Sequence, residues 1–198
     1  EVDADLRPEG KQGPLVRSLD SFRTYYAKWS QVWEAQALLR ADAAVGDEDL
    51  RRAFTELIDP LRFPADGLQP KDLREIRRVK ARVDSERLPR GADPQTHFKL
   101  GPGGLSDIEW TVQALQMEHA HHVPAMRTTR TLDALDGAVA ADVLEADDAD
   151  DLRRTAPRLL RANPAGCSCG SPAPDRAPFR QPSPRSPRAR VRPCWPTA

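Results

Sequence analysis

The sequence predicts a mainly α protein: a helical bundle entered through one short strand and followed by a disordered, basic, proline-rich tail. Three observations carry this. Between Ser18 and Arg154, apolar residues recur three and four apart in successive stretches. Residues 1–6, EVDADL, instead alternate acidic and apolar, the period of a strand. From Pro157 onward the composition changes, with ten of the 19 prolines and all three cysteines. That stretch holds eight arginines against one acid, Asp175, and so carries +7. A chain of zero net charge then leaves residues 1–156 at −7. The 198 residues suffice for one ordinary domain with a real core.

Several classes are disfavoured. No apolar run approaches the roughly 20 residues of a membrane span, and there is no signal peptide at the start. The body has no cysteine and hence no disulfide framework. A cytoplasmic protein is the expectation. The first residue is not Met, and the chain begins inside a strand-like pattern, which reads as a piece cut from something longer.

The elements follow in order. In the strand, Glu1, Asp3 and Asp5 share one face, and Val2, Ala4 and Leu6 the other. The acidic face repels itself unless it lies in water or faces a metal ion or a basic partner. Gly10–Gly13 reads as a turn. Ser18 or Asp20 can cap a helix, in which Phe22, Tyr25, Tyr26, Trp29, Val32, Trp33 and Ala37 form the stripe. Five of the eleven aromatics lie there, as a core face or an aromatic platform. This helix is expected to run to Val45-Gly46. Asp47 caps the next, with Leu50, Phe54, Leu57 and Ile58 inward and Pro60 and Pro64 as its stop. Residues 61–70 read as a loop.

Lys71–Leu88 is the third helix, with Leu73, Ile76, Val79 and Val83 inward. Its outer face is assigned Arg74, Arg77, Arg78, Lys80, Arg82 and Arg87. That face is either solvated, with Glu75 and Glu86 as partners, or a basic surface for phosphates or an acidic protein. Then comes KLGPGGLSDIEW, residues 99–110. Ser106 and Glu109 have the spacing of a capping box, and Asp107 suits a positive helix end. A glycine-rich loop before a helix can also cradle phosphate. The spacing here fits neither a P-loop nor a dinucleotide fingerprint, so a tight turn and cap is the favoured reading. His119, His121 and His122 close this helix without a carboxylate or thiol at metal-ligand spacing. Shorter helices start near Thr131 and Asp147, the last losing its pattern after Arg154. The body thus reads as one strand and about five helices.

The order of motifs adds a family. EVDADLRPEGKQGPLVRSL, YYAKWSQVWEAQALLRA, VGD, EIRRVKARVDSERLPRGADP and KLGPGGLSDIEW together closely resemble glutamine-synthetase adenylyltransferase (glutamate–ammonia ligase adenylyltransferase). The resemblance runs from Glu1 to about Arg154. ERLPRGADP and LRFPADGL are similar to the C-terminal, adenylylating half of the actinobacterial type. It implies that residues 1–16 are the last strand and turn of an incomplete polymerase-β-like nucleotidyltransferase domain. Residues 17–156 would be the helical bundle that follows it, and residues 157–198 the tail.

The resemblance further implies transfer of AMP from ATP to a tyrosine of glutamine synthetase, with removal by the other half, regulating nitrogen assimilation. Three strand carboxylates hold two Mg²⁺ ions in such enzymes. Val2-Asp3-Ala4-Asp5-Leu6-Arg7-Pro8 matches the motif of the third, making Asp3 a catalytic residue and metal ligand. Asp5 stands where some relatives have Arg. The Gly-Ser-Asp-Leu-Asp motif that carries the other two carboxylates is absent from these 198 residues. The implied partners are glutamine synthetase and a nitrogen-regulatory signal protein, with no membrane and no specific nucleic acid. The KLGPGGLSDIEW loop is expected to face the active-site cleft, without a catalytic role assigned to Asp107 or Glu109. The tail departs from the family and reads as the product of a shifted frame near Arg154–Pro157, or else as a genuine disordered basic extension. The alternative reading of the chain is a catalytically inert helical module. It would bind glutamine synthetase or couple the two catalytic halves. A third reading is an unrelated nucleic-acid-binding protein acting through its basic tail.

Overall fold

In the computed structural model residues 7–162 are described, except for the side chains of 156–162. Seven α-helices occupy this range: α1 (Leu19–Trp29), α2 (Val32–Leu38), α3 (Glu48–Arg62), α4 (Pro70–Glu86), α5 (Leu105–His119), α6 (Thr131–Ala140) and α7 (Ala146–Ala162). Two 3-10 turns, Gly10–Gln12 and Pro124–Met126, complete the set. The fold is mainly helical, and the described residues contain no strand. The strand expected at 1–6, with Asp3, lies outside the described residues, as does the chain from 163 onward.

The first expected helix is two. Ser30 and Gln31 are extended, with ψ of 131° and 153°. The Gln31 side chain accepts from the amide of Glu34, and the Glu34 carboxylate accepts from the Gln31 amide at 2.9 Å. This reciprocal cap starts a new helix and ends the old one. The same Glu34 accepts from the Tyr25 hydroxyl at 2.7 Å, so one carboxylate joins both helices. The break rotates the aromatic stripe out of register: Tyr26 is buried, but Trp29 is 67% and Trp33 40% exposed. The second helix ends at Leu38, well before Val45-Gly46, because Arg62 reaches back to the carbonyls of Leu38 and Ala41. A cation at a helix carboxyl end satisfies acceptors that have no partner within the helix.

Other boundaries moved less. Ser18 caps α1 by accepting from Ser21, and Asp47 caps α3 by accepting from Leu50 at 3.0 Å, both as expected. Pro60 does not stop α3, which runs on to Arg62. A proline forfeits one i−4 bond; the Phe63 amide to Asp59 carbonyl bond, 2.9 Å, closes the turn beyond it. Pro70 sits at the first turn of α4, where its missing N–H costs nothing. α7 continues to Ala162, past the expected boundary at 157.

The bundle is organised around α5. α2 packs on α3, α4 and α5; α5 packs on α6 and α7; α1 lies on α3. Leu39, Ile58, Ile76, Met117, Met126 and Leu135 are fully buried. Each such side chain contributes about 1.5–3 kcal/mol relative to exposure. Inside this core the Gln116 amide donates to the carbonyls of Met126 and Thr128 at 2.8 and 2.7 Å, tying the Pro124–Met126 turn to α5.

α6 meets that turn through Gly137. A Cβ there would lie 2.8 Å from both the carbonyl carbon and oxygen of Ala125 and 3.1 Å from the Met126 nitrogen. All three are backbone atoms and cannot swing aside. Gly137→Ala gains about 1 kcal/mol of helix propensity, but overpacking costs about 1–3 kcal/mol. The expected net result is a lower melting temperature; an unchanged or raised one would show that the turn yields.

Candidate functional site

The described residues put their charged chemistry where α4 meets the start of α5. Lys80 was expected on the outer face of α4, but it is 5% exposed. The reason is its register: Lys80 follows Ile76 by four and precedes Val83 by three, on the inward stripe. Its ammonium donates to Asp84 at 2.6 Å and to Asp107 at 2.5 Å. Two carboxylates, each about one-third exposed, thus share one buried cation. Asp84 Oδ1 and the neighbouring Ser106 Oγ are buried without a hydrogen-bond partner.

Asp107 does two things. One oxygen takes the Lys80 ammonium, and the other accepts from the Gly103 amide at 2.8 Å. Gly103 has φ +71°, which favours glycine. The expected capping box is absent: Gly104 is the N-cap of α5, and no side chain caps it. Instead the amides of Leu105 and Ser106 donate to the carbonyls of Phe98 and Lys99, each at 3.0 Å. Those of Gly101 and Gly104 donate to His97 and Gly101 at 2.7 and 2.8 Å. Pro102 has no amide to give. The loop is therefore a tight turn whose N–H groups are already used, as the spacing suggested. It offers no cradle for phosphate, which needs several free amides aimed at one point.

The other candidates stand as follows. Asp3 and Asp5, and Cys167, Cys169 and Cys194, lie outside the described residues. Glu109 is half-buried on α5. Arg74, Arg78, Arg82 and Arg87 are exposed as expected, whereas Arg77 is half-buried. His121 and His122 are in contact, ring nitrogens 3.1 Å apart, with His119 beside them at the end of α5. Burial holds His119 below the usual histidine range. Among the described residues no group of three histidines, cysteines or carboxylates could hold a metal ion. Tyr26, read as core, is buried and pushed up to about 12 by that burial, so it stays neutral. A shallow cleft of about 450 Å³ lies at the neighbouring Tyr25, lined also by Glu9, Arg17, Asp20, Thr24 and Trp29. Sequence reasoning missed the Lys80–Asp107 pair, though Lys80's place on an apolar stripe is a legible signal.

Comparison with known proteins bears on what such a domain accompanies. Residues 1–57 match the family model described as glutamate-ammonia ligase adenylyltransferase, and residues 76–163 that described as GlnD PII-uridylyltransferase. Both descriptions name nucleotidyltransferases, and that is the class these two stretches resemble. The second match passes Arg154, where the sequence reading ended the resemblance. A bifunctional glutamine synthetase adenylyltransferase/adenylyl-removing enzyme of Mycobacterium avium is 58% identical over 165 residues, 83% of this chain and 16% of that protein. The enzyme of the same name from Streptomyces avermitilis is 62% identical over 148 residues, 75% of this chain and 15% of its own. That from Cutibacterium acnes is 60% identical over 144 residues. The chain belongs to the glutamate–ammonia ligase adenylyltransferase family, and it spans about one-sixth of the length of these relatives.

Proposed function

We propose that the chain works as part of an enzyme that transfers AMP from ATP to a tyrosine of glutamine synthetase and, through its other half, removes it. The observation that carries this is the 58% identity, over 165 residues, to a relative bearing that name. In this reading residues 1–16 end a polymerase-β-like catalytic domain, 17–156 form the helical bundle behind it, and the tail follows. Asp3 is the carboxylate of this chain that would serve at Mg²⁺. The described residues contain no metal-holding cluster, so no step of the transfer is assigned to them. Their contribution is positional: Lys80 and Asp107 fix the loop before α5 in one conformation. Glutamine synthetase is the protein substrate, a nitrogen-regulatory signal protein the proposed effector, and the cytoplasm the site of action. No described helix is long and apolar enough to cross a membrane.

A graft tests it. Residues 1–155 replace the matching stretch of the Mycobacterium avium enzyme, and labelled AMP entering glutamine synthetase is counted. Transfer within about tenfold of the parent is expected; a folded but inactive graft would overturn the assignment. The inert-module reading is favoured for the isolated chain by its sequence, in which the Gly-Ser-Asp-Leu-Asp motif does not occur. The 198-residue chain alone, given ATP, Mg²⁺ and glutamine synthetase, is expected to transfer nothing. Turnover there would place the chemistry on this chain.

A further inference from the structure

Arginines on this protein fall into two groups. Outside residues 74–90, every arginine whose side chain is described donates to or pairs with an acceptor of this chain. Within that stretch, Arg74, Arg82, Arg87 and Arg90 are exposed and have neither hydrogen bond nor ion pair with another described residue. Arg78, 76% exposed, has only a loose contact with Glu75 at 3.7 Å. Arg74, Arg78 and Arg82 stand four apart, one above another along a line of about 12 Å on the helix. α4 packs chiefly on α2, which leaves this side of it without a covering helix. The rest of the body is acidic, so the ridge is a local reversal of sign.

We propose that this arginine ridge is a docking surface for an acidic face of the protein substrate. The inference rests on the reading above that the substrate is a second protein. Convexity excludes the nucleotide: phosphates are held in concave, partly dehydrated sites, whereas a ridge of exposed arginines cannot enclose them. The chain's own tail is excluded by charge, since it is itself +7. What suits a straight, exposed row of guanidinium groups is a flat carboxylate-rich surface. Such a pairing steers encounter and sets orientation more than it deepens affinity.

The test is binding of the 198-residue chain to purified glutamine synthetase, measured from about 50 to about 300 mM salt. The wild type is expected to weaken steeply as salt rises. The triple reversal Arg74→Glu, Arg78→Glu, Arg82→Glu is expected to bind at least about tenfold more weakly at low salt and to lose most of the salt dependence. Reversing Arg23, Arg52 and Arg154 together, three exposed arginines already paired elsewhere, controls for net charge and is expected to have the smaller effect. Equal binding by wild type and ridge variant, or no binding by the wild type, overturns the proposal. So does a wild-type dimer that the ridge variant dissolves, because the occupant would then be a second copy. If the ridge variant is unfolded by circular dichroism, the Gln series at the same positions gives the same readout. An active graft with no docking would sink this surface alone, whereas an inactive graft would sink the functional reading beneath it.

Discussion

Replacing Lys80 with Met should lower stability by about 2–4 kcal/mol, the largest effect expected of any surface-to-core charge in the bundle. Met keeps the length and apolar stem of lysine and removes only the ammonium. Asp84 and Asp107 are then left facing each other without a cation. Breaking a buried pair by removing one partner costs about 3–5 kcal/mol. The carboxylates here are 32% and 33% exposed, so water offsets part of that. For a body of this size the melting temperature should fall by about 5–12 °C. The companion experiment is the double variant Lys80→Met with Asp107→Asn. Because the residues share one network, its cost should be well below the sum of the two singles. A single variant melting within about 2 °C of wild type would show that the ion pairs contribute nothing net.

The second large effect concerns activity. In the grafted enzyme, Asp3→Asn should reduce AMP transfer at least about 100-fold, since a metal ligand's charge is worth several kcal/mol to the transition state. Asparagine preserves size and shape, so the fold should stay intact and the melting temperature nearly unchanged. Binding of glutamine synthetase should also persist, because the proposed docking ridge is made of different residues. This dissociation is the informative part: chemistry lost while folding and association remain. Transfer close to the parent rate would remove Asp3 from the reaction and leave the acidic residues of positions 1–5 without a role.

Much of the fold was legible where a local rule and the packing agree. Ser18 and Asp47 were read as caps and act as caps. Ile58 and Ile76 were placed inward and are fully buried. The glycine loop was read as a turn, and its amides are spent on its own carbonyls. The failures share a cause: periodicity was extended through points where a side chain intervenes. Trp29 and Trp33 continue the stripe arithmetically, but the Gln31–Glu34 cap interrupts it physically. Arg62 ends α2 from a distance of 24 residues along the chain, which no local window contains. Lys80 looked like one more cation among six, because its charge outweighed its place on the inward stripe with Ile76 and Val83. The carboxylates it pairs with come from α4 and from α5, 27 residues away, and only the structure brings Asp107 to it. The candidate site was therefore legible in its residues and not in its connections.

The way α5 is held has a mechanical consequence. It is a rod of 15 residues, about 22 Å long, fastened differently at its two ends. At the amino end the fastening is polar, through Asp107 on Lys80 and the Leu105 and Ser106 amides on the carbonyls of Phe98 and Lys99. At the carboxyl end it is close packing, with Met117 and Ala120 in the core, Gln116 gripping the following turn, and Arg127 bound to the carbonyls of Ala120 and His121. Removing the Lys80 charge acts on the first and hardly on the second; lost volume at Met117 does the reverse. The two ends can therefore be weakened separately, each by a substitution that leaves the other's contacts in place.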